Sequence, residues 1–303
     1  MARARRDRRS GNYCVVHVTN RVIEGLPFVA RQSIKEVLLG VMARAQDKYP
    51  MFICGFLFMG NHYHMILAGK AHKLSPFMNF LDGEIAKAFQ RLTGRYRGKF
   101  WQGRYKEQKL ATPTDVVRMM AYIYGNPTKA GLVSHPKDYP NLNSYGLNGQ
   151  IPARWVRPSK LKKLFPRYSK FTERKDFFHV RKSYERTYAL RVEPDAWKRF
   201  FVEEARPNLF EELLEEELKT EHASFLGARR LKEQSLDKEW KPKKKTRTPF
   251  VICHDREFRL KLIQSYKYFV EQCKEAWVRF KQGFTDITFP RGCFIPSRLA
   301  RAG

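Results

Sequence analysis

Hydrophobic and polar positions change their spacing several times along the first 150 residues, and each change marks an element. Residues 13–19, YCVVHVT, hold the β-branched and aromatic types that predict a strand. Ser33 and Glu36 have capping-box spacing, and Ile34, Val37, Leu38, Val41 and Ala45 follow at helical intervals, predicting a helix with one buried face. Residues 51–59, MFICGFLFM, are almost continuously apolar, as a strand buried on both faces should be. Gly60-Asn61 is a tight-turn signal, so HYHMILA behind it is expected to pair back as a hairpin. Ser75-Pro76 predicts the start of a second helix, with Phe77, Met78, Leu81, Ile85, Ala88, Phe89 and Leu92 on its core face and Gly94 as its stop. Beyond the aromatic and basic stretch KFWQGRYKEQKL, Thr112-Pro113 with Asp115 predicts a third helix reaching about Gly125.

Strands interleaved with helices and joined partly by a hairpin predict an α+β domain built on a mainly antiparallel sheet and ending near residue 150. The remainder reads as mostly helical. NLFEELLEEEL (208–218) is an acidic amphipathic helix, and WKPKKKTRTP (240–249) has linker composition. Leu262, Tyr266, Phe269, Cys273, Ala276 and Phe280 then mark the core side of a longer helix. The expected division is a basic arm (1–12), a first domain (13–150), a helical extension (151–240), a basic linker (241–249) and a C-terminal helical segment (250–303).

Charge changes the picture more than composition does. Lys and Arg number 59 against 30 Asp and Glu, a formal net charge of +29 over 303 residues. Self-repulsion on that scale favours a polyanionic partner, and nucleic acid is the first candidate. No run of 18 apolar residues is present, and the N-terminal MARARRDRRSGNY lacks the apolar stretch of a secretory signal, so a cytoplasmic protein is expected. Arg5 and Arg6 in that arm are candidate DNA contacts, with a solvated arm as the alternative. Five widely spaced cysteines show no Cys-x-x-Cys pair, which argues against a zinc site and for reduced thiols.

Two patterns carry candidate chemistry. In a strand, alternate side chains share a face, so His62 and His64 point together while Tyr63 points away. Two imidazoles so placed are a ready site for a divalent ion, although a His-x-His pair alone is also common on ordinary half-buried strands. On the third helix, Val116, Val117, Met120, Ile123 and Tyr124 fall on one stripe, which assigns Tyr124 to the core. Tyr122 faces the other way, with Arg118 four residues before it and Asn126 four after, so a guanidinium, a phenol and a carboxamide share one face. A tyrosine can act as a covalent nucleophile when helped, and a metal supplies help by polarising a phosphate. Asn126 offers a third, oxygen ligand, and an imidazole–oxygen set suits Mg²⁺ or Mn²⁺. His17 either orients the histidine pair or is a satisfied core histidine. Arg104 and Lys106 share a face if 104–110 is a strand, as phosphate contacts or as a solvated charged face.

These residues lie in strings with a familiar look. FMGNHYHMIL resembles the His-hydrophobic-His motif of the HUH endonucleases, and YIYGNPTKAGLV resembles the tyrosine motif of their single-tyrosine transposase branch. The Tyr-Ile-x-x-Asn-Pro string is most similar to the REP-associated tyrosine transposases, and HVTNR (17–21) and FWQGRYKEQ (100–108) resemble that family's first-strand and pre-tyrosine segments. The resemblance covers about residues 10–150. It implies a ferredoxin-like antiparallel sheet with flanking helices, Tyr122 as nucleophile, and His62, His64 and Asn126 as ligands of Mg²⁺ or Mn²⁺. It further implies an endonuclease and strand transferase acting on single-stranded or hairpin DNA from palindromic repeats, through a 5′-phosphotyrosine intermediate, as a monomer or homodimer. The alternatives are a domesticated, non-cleaving DNA-hairpin binder, or a nickase of the relaxase or replication-initiator kind. Residues beyond 150 are expected to strengthen DNA binding through cationic stretches such as Lys160 to Lys163 and Lys241 to Arg247, without supplying chemistry. A chain cut near residue 150 is accordingly expected to stay folded.

Overall fold

The computed structural model describes residues 13–94, 98–163, 179–234 and 249–293. Arg5, Arg6 and the Lys241 to Arg247 stretch lie outside the described residues. The chain begins β1 (Tyr13–Arg21), α1 (Gln32–Lys48), β2 (Phe52–Met59), β3 (His62–Lys70), α2 (Ala71–Thr93) and β4 (Lys106–Leu110). These strands lie side by side as β2-β3-β1-β4 with every neighbour antiparallel, the ferredoxin-like βαββαβ arrangement. Alternation along the strands decides what each face carries. Val16, Val18, Phe56, Phe58, Tyr63, Met65 and Leu67 point to one side, where they pack with Ile34, Leu38 and Met42 of α1 and Leu81, Ile85 and Phe89 of α2.

The opposite face is covered by α3 (Pro113–Lys129). Thr112 and Asp115 form the predicted capping box, each side chain answering the other's backbone N–H. Val15, Leu57 and Ile66 of the sheet cluster there with Val116, Met120 and Ile123, so the stripe read from the sequence is the packed one. The helix does not end at Gly125. It continues through Pro127 to Lys129, because Pro127 and Thr128 are buried and that burial offsets the one backbone bond that proline removes.

Two other helix starts differ from expectation. Burial of Ser33 and Ile34 draws the start of α1 back to Gln32, so the N-cap is Arg31 and no side-chain cap forms. Strand β3 runs straight into α2 at Ala71, five residues before Pro76, because Ala71 and Leu74 both bury. Gly94, in the left-handed conformation at φ 74°, ends α2 as predicted.

The sheet continues past residue 150. Strand β5 (Gly149–Val156) pairs antiparallel with β6 (Glu185–Val192), and Val192 of β6 meets Ile53 of β2 in parallel. After β6 come α4 (Leu209–Leu218), α5 (Ala228–Lys232), β7 (Val251–Ile252) and α6 (Arg256–Lys281). β7 pairs in parallel with β4, so the sheet reads β5-β6-β2-β3-β1-β4-β7, seven strands in a mixed α+β fold. Among the described residues beyond β6, α4, α5 and α6 are the α-helices. The backbone of α1 at Gly40 lies so close to β5 that a methyl group there would meet Arg154 O at 2.2 Å.

Candidate functional site

The site is built on the sheet face beneath α3. His17, Thr19 and Arg21 alternate along β1, and the residues paired with them on β3 are Ile66, His64 and His62. On the other flank, Gln108 of β4 pairs with His17, and Lys106 pairs with Thr19. Directly paired residues of antiparallel strands point the same way, so His17, Arg21, His62, His64, Lys106 and Gln108 converge on one face. The residue between the two histidines turns into the core behind them. There the Tyr63 hydroxyl donates to Asp82 of α2 at 2.6 Å, and the Asn20 amide donates to the same carboxylate at 2.9 Å. An aromatic residue at that position therefore anchors the histidine strand to the layer below.

The imidazoles are held from behind. His62 Nδ1 meets Asn61 Oδ1 at 2.7 Å, and His64 Nδ1 meets His17 Nε2 at 2.9 Å. His17 Nδ1 in turn lies 2.9 Å from Gln108 Oε1. With both Nδ1 atoms engaged, Nε2 is the atom that His62 and His64 can offer a ligand. The rings of this pair lie 5.1 Å apart. Burial holds all three imidazoles neutral. It lowers His17 to about 4 and His62 to about 3, the nearby Arg21 adding to the effect at His62. His64 falls well below the usual histidine range through burial, with His62, His17 and Arg21 adding to it.

From above, α3 brings Tyr122 to this face. Its ring sits edge-on to His64, centroids 6.1 Å apart, and it is 39% exposed. Tyr124, two residues on, is its opposite in every respect. It is buried, its hydroxyl is bonded to Ser144 Oγ at 2.8 Å, and burial pushes it up to about 12. Arg118 and Asn126 are half-buried, and Arg118 Nε and Asn126 Nδ2 are enclosed with no hydrogen-bond partner. Since α3 stays helical past Asn126, Arg118, Tyr122 and Asn126 remain in line at four-residue spacing. Lys106 is exposed on the site's face, whereas Arg104 precedes β4 and is not part of the strand.

Arg21 and Gln108 are site residues to which sequence reasoning gave no role. Arg21 is half-buried, within electrostatic reach of Tyr122, His62 and His64, and desolvation lowers its pKa while Tyr122 opposes that shift. The two-residue period from His17 through Thr19 was the available signal. Gln108 offered none, because its place depends on strand pairing 91 residues away from His17.

A metal fits the donor chemistry. Two neutral imidazoles with oriented rings, with the carboxamide oxygen of half-buried Asn126, are the nitrogen and oxygen donors that could hold Mg²⁺ or Mn²⁺. Among the described residues, no three His, Cys, Asp or Glu side chains are grouped to hold an ion.

The fold and the site thus combine a ferredoxin-like sheet, a pair of histidines on one face and a helix-borne tyrosine above them. Residues 12–126 match the family described as transposase IS200 like. Two solved structures are also similar. One is a REP-associated tyrosine transposase bound to a REP hairpin, 19% identical, with a TM-score of 0.40, covering 48% of this chain and 84% of its own. The other is a transposase-like protein from Deinococcus radiodurans, 14% identical, with a TM-score of 0.28, covering 36% and 88%. No curated protein matches the chain. Among the described residues, no helix is long and apolar enough to cross a membrane.

Proposed function

We propose that the protein is a metal-dependent single-tyrosine DNA endonuclease and strand transferase, with Tyr122 as nucleophile. The observation that carries this reading is the exposed Tyr122 ring lying edge-on to His64, over a pair of histidines whose Nε2 atoms remain for a ligand. Tyr122 Oη would attack the phosphorus and lose its proton as the Oη–P bond forms. The P–O3′ bond breaks, and the 3′ oxygen takes up a proton to leave as a hydroxyl. Attack by a 3′-OH reverses the step, so the phosphodiester energy is kept and no nucleotide is consumed.

His62, His64 and Asn126 would hold Mg²⁺ or Mn²⁺, which polarises the phosphate and orients it for in-line attack. Arg21 places a fixed positive charge beside Tyr122, where negative charge gathers on the phosphate oxygens. Lys106 and Arg118 flank the same face and suit the approaching backbone. A tyrosine on a rigid helix needs a flexible, accessible phosphodiester for in-line attack, so a single-stranded or hairpin substrate is favoured over a perfect duplex.

The test is cleavage of end-labelled hairpin oligonucleotides drawn from the flanks of the encoding locus, with Mn²⁺ and with EDTA. Cleavage of hairpins with Mn²⁺, none in EDTA, and none of a fully paired duplex is expected. Full cleavage in EDTA would remove the metal from the reading, and binding without any cleavage would favour a non-cutting hairpin binder.

A further inference from the structure

Behind His64 lies a line of polar groups that the proposed reaction does not itself require. We propose that Gln108 and His17 form a buried relay that holds His64 in the tautomer presenting an unprotonated Nε2 to a divalent cation. The inference rests on the proposed reading of His64 as a metal ligand, and it assigns positioning roles to two residues that do not touch the ion.

The direction of the relay follows from donor and acceptor chemistry. Gln108 offers its carbonyl Oε1 to His17 Nδ1 at 2.9 Å, and a carbonyl can only accept, so the His17 proton sits on Nδ1. His17 is buried and its ring nitrogens meet Gln108 and His64 rather than a carboxylate that would pair a charge, so it carries one proton and its Nε2 lone pair accepts the next bond. That bond, at 2.9 Å, comes from His64 Nδ1, which therefore holds the His64 proton. The lone pair of His64 is then on Nε2. All three side chains are buried, so water cannot replace any bond in the line, and each proton position dictates the next. The strand register builds the line, because Gln108 sits directly across from His17 on β4. His62 reaches the same tautomer separately, through Asn61 Oδ1 at 2.7 Å. Metal-bound imidazoles are generally fixed this way, by a hydrogen bond from the ring nitrogen that does not bind the ion.

A line that merely satisfied buried polar groups would work with its protons running in either direction. The relay requires one direction, and that difference can be measured. In protein labelled with ¹⁵N-histidine, long-range ¹H–¹⁵N correlations report which ring nitrogen carries the proton, and Mn²⁺ binding without DNA is followed by electron paramagnetic resonance. The wild-type protein should show a protonated Nδ1 and a bare Nε2 at His64. In Gln108→Met, His17 loses its acceptor and should turn its proton toward His64. His64 then carries its own proton on Nε2, and Mn²⁺ affinity should fall roughly 10–100-fold. His17→Gln supplies a carbonyl to His64 Nδ1–H and should keep the wild-type tautomer with most of the affinity. A protonated Nε2 at His64 in the wild-type protein would overturn the relay, and that result needs no variant to fold. Unchanged Mn²⁺ affinity in a folded Gln108→Met protein with a reversed tautomer would overturn its role toward the metal. Wild-type protein with the stated tautomer but no Mn²⁺ binding would leave the relay standing and remove the metal reading instead.

Discussion

Burial separates Tyr122 from Tyr124 more sharply than sequence spacing does. An exposed phenol can meet a phosphate, whereas one bonded to Ser144 and pushed up to about 12 cannot ionise near neutral pH. The three imidazoles carry a separate consequence for stability. Each is neutral in the folded protein, with His17 lowered to about 4 and His62 to about 3, while the unfolded chain binds protons near 6.5. The unfolded state therefore holds more protons below pH 6.5, so stability is fully present above that value and is lost as pH falls toward 4. For His17 alone the loss between pH 6.5 and 5 is of order 2 kcal/mol. His62, which is partly open to solvent, should contribute less. Denaturant unfolding of metal-free protein at pH 7 and pH 5 checks this, and equal or greater stability at pH 5 would contradict it. Tyr122, His62 and His64 were legible because periodicity is local, and one face of a strand or helix can be read from neighbours in the chain. Gln108 was not, since its place beside His17 comes from pairing between strands far apart in sequence, and Arg21 was missed although the two-residue period along β1 reaches it.

At the scale of elements, α3 is fastened at both ends by parts of the chain beyond residue 150. Asp115 closes the capping box and also accepts the His254 backbone N–H at 2.9 Å, tying the helix start to the segment after β7. At the other end, Lys129 pairs with Glu217 of α4, and a methyl group at Gly125 would stand 2.6 Å from Glu217 Cβ. The helix bearing Tyr122 is thus positioned by the C-terminal region. Composition could suggest α4, but it could not reveal what α4 packs against. Close approach gives an element-scale prediction of opposite signs. Gly40→Ala forces a methyl group onto the β5 backbone and should cost about 1–3 kcal/mol or more, because a paired strand cannot easily give way. Gly83→Ala, in α2 with nothing within 4 Å of the added carbon, should instead stabilise by about 0.5–1 kcal/mol. Chemical denaturation of the two variants beside the wild type decides, and two shifts of the same sign would contradict this packing.

Across the whole molecule, the sheet and its core cross the boundary expected near residue 150. Trp155 and Val156 of β5 and Leu190 and Val192 of β6 belong to the same buried cluster as α1 and α2. Ending the chain at residue 150 would strip that cluster and leave β2 as a bare edge. Such a truncated chain should precipitate or unfold without cooperativity, in contrast to the expectation drawn from motif positions alone. A soluble, cooperatively unfolding fragment would show that the added strands are dispensable. The first three strands were legible from their apolar and β-branched runs and the Gly60-Asn61 turn, whereas β4 was read only as a condition on residues 104–110. The later strands were not, since Gly149–Val156 contains Pro152 and exposed polar positions, and its place depends on pairing with β6 and packing against α1.

The central claim is that Tyr122 becomes covalently joined to DNA, and the most direct measurement is mass spectrometry of the protein after incubation with a cleavable hairpin and Mn²⁺. The account predicts a peptide carrying a 5′-phosphonucleotide on Tyr122, absent from Tyr122→Phe protein that still binds the hairpin and present in Tyr124→Phe. An adduct mapped to another residue, or one that persists in Tyr122→Phe, would contradict it.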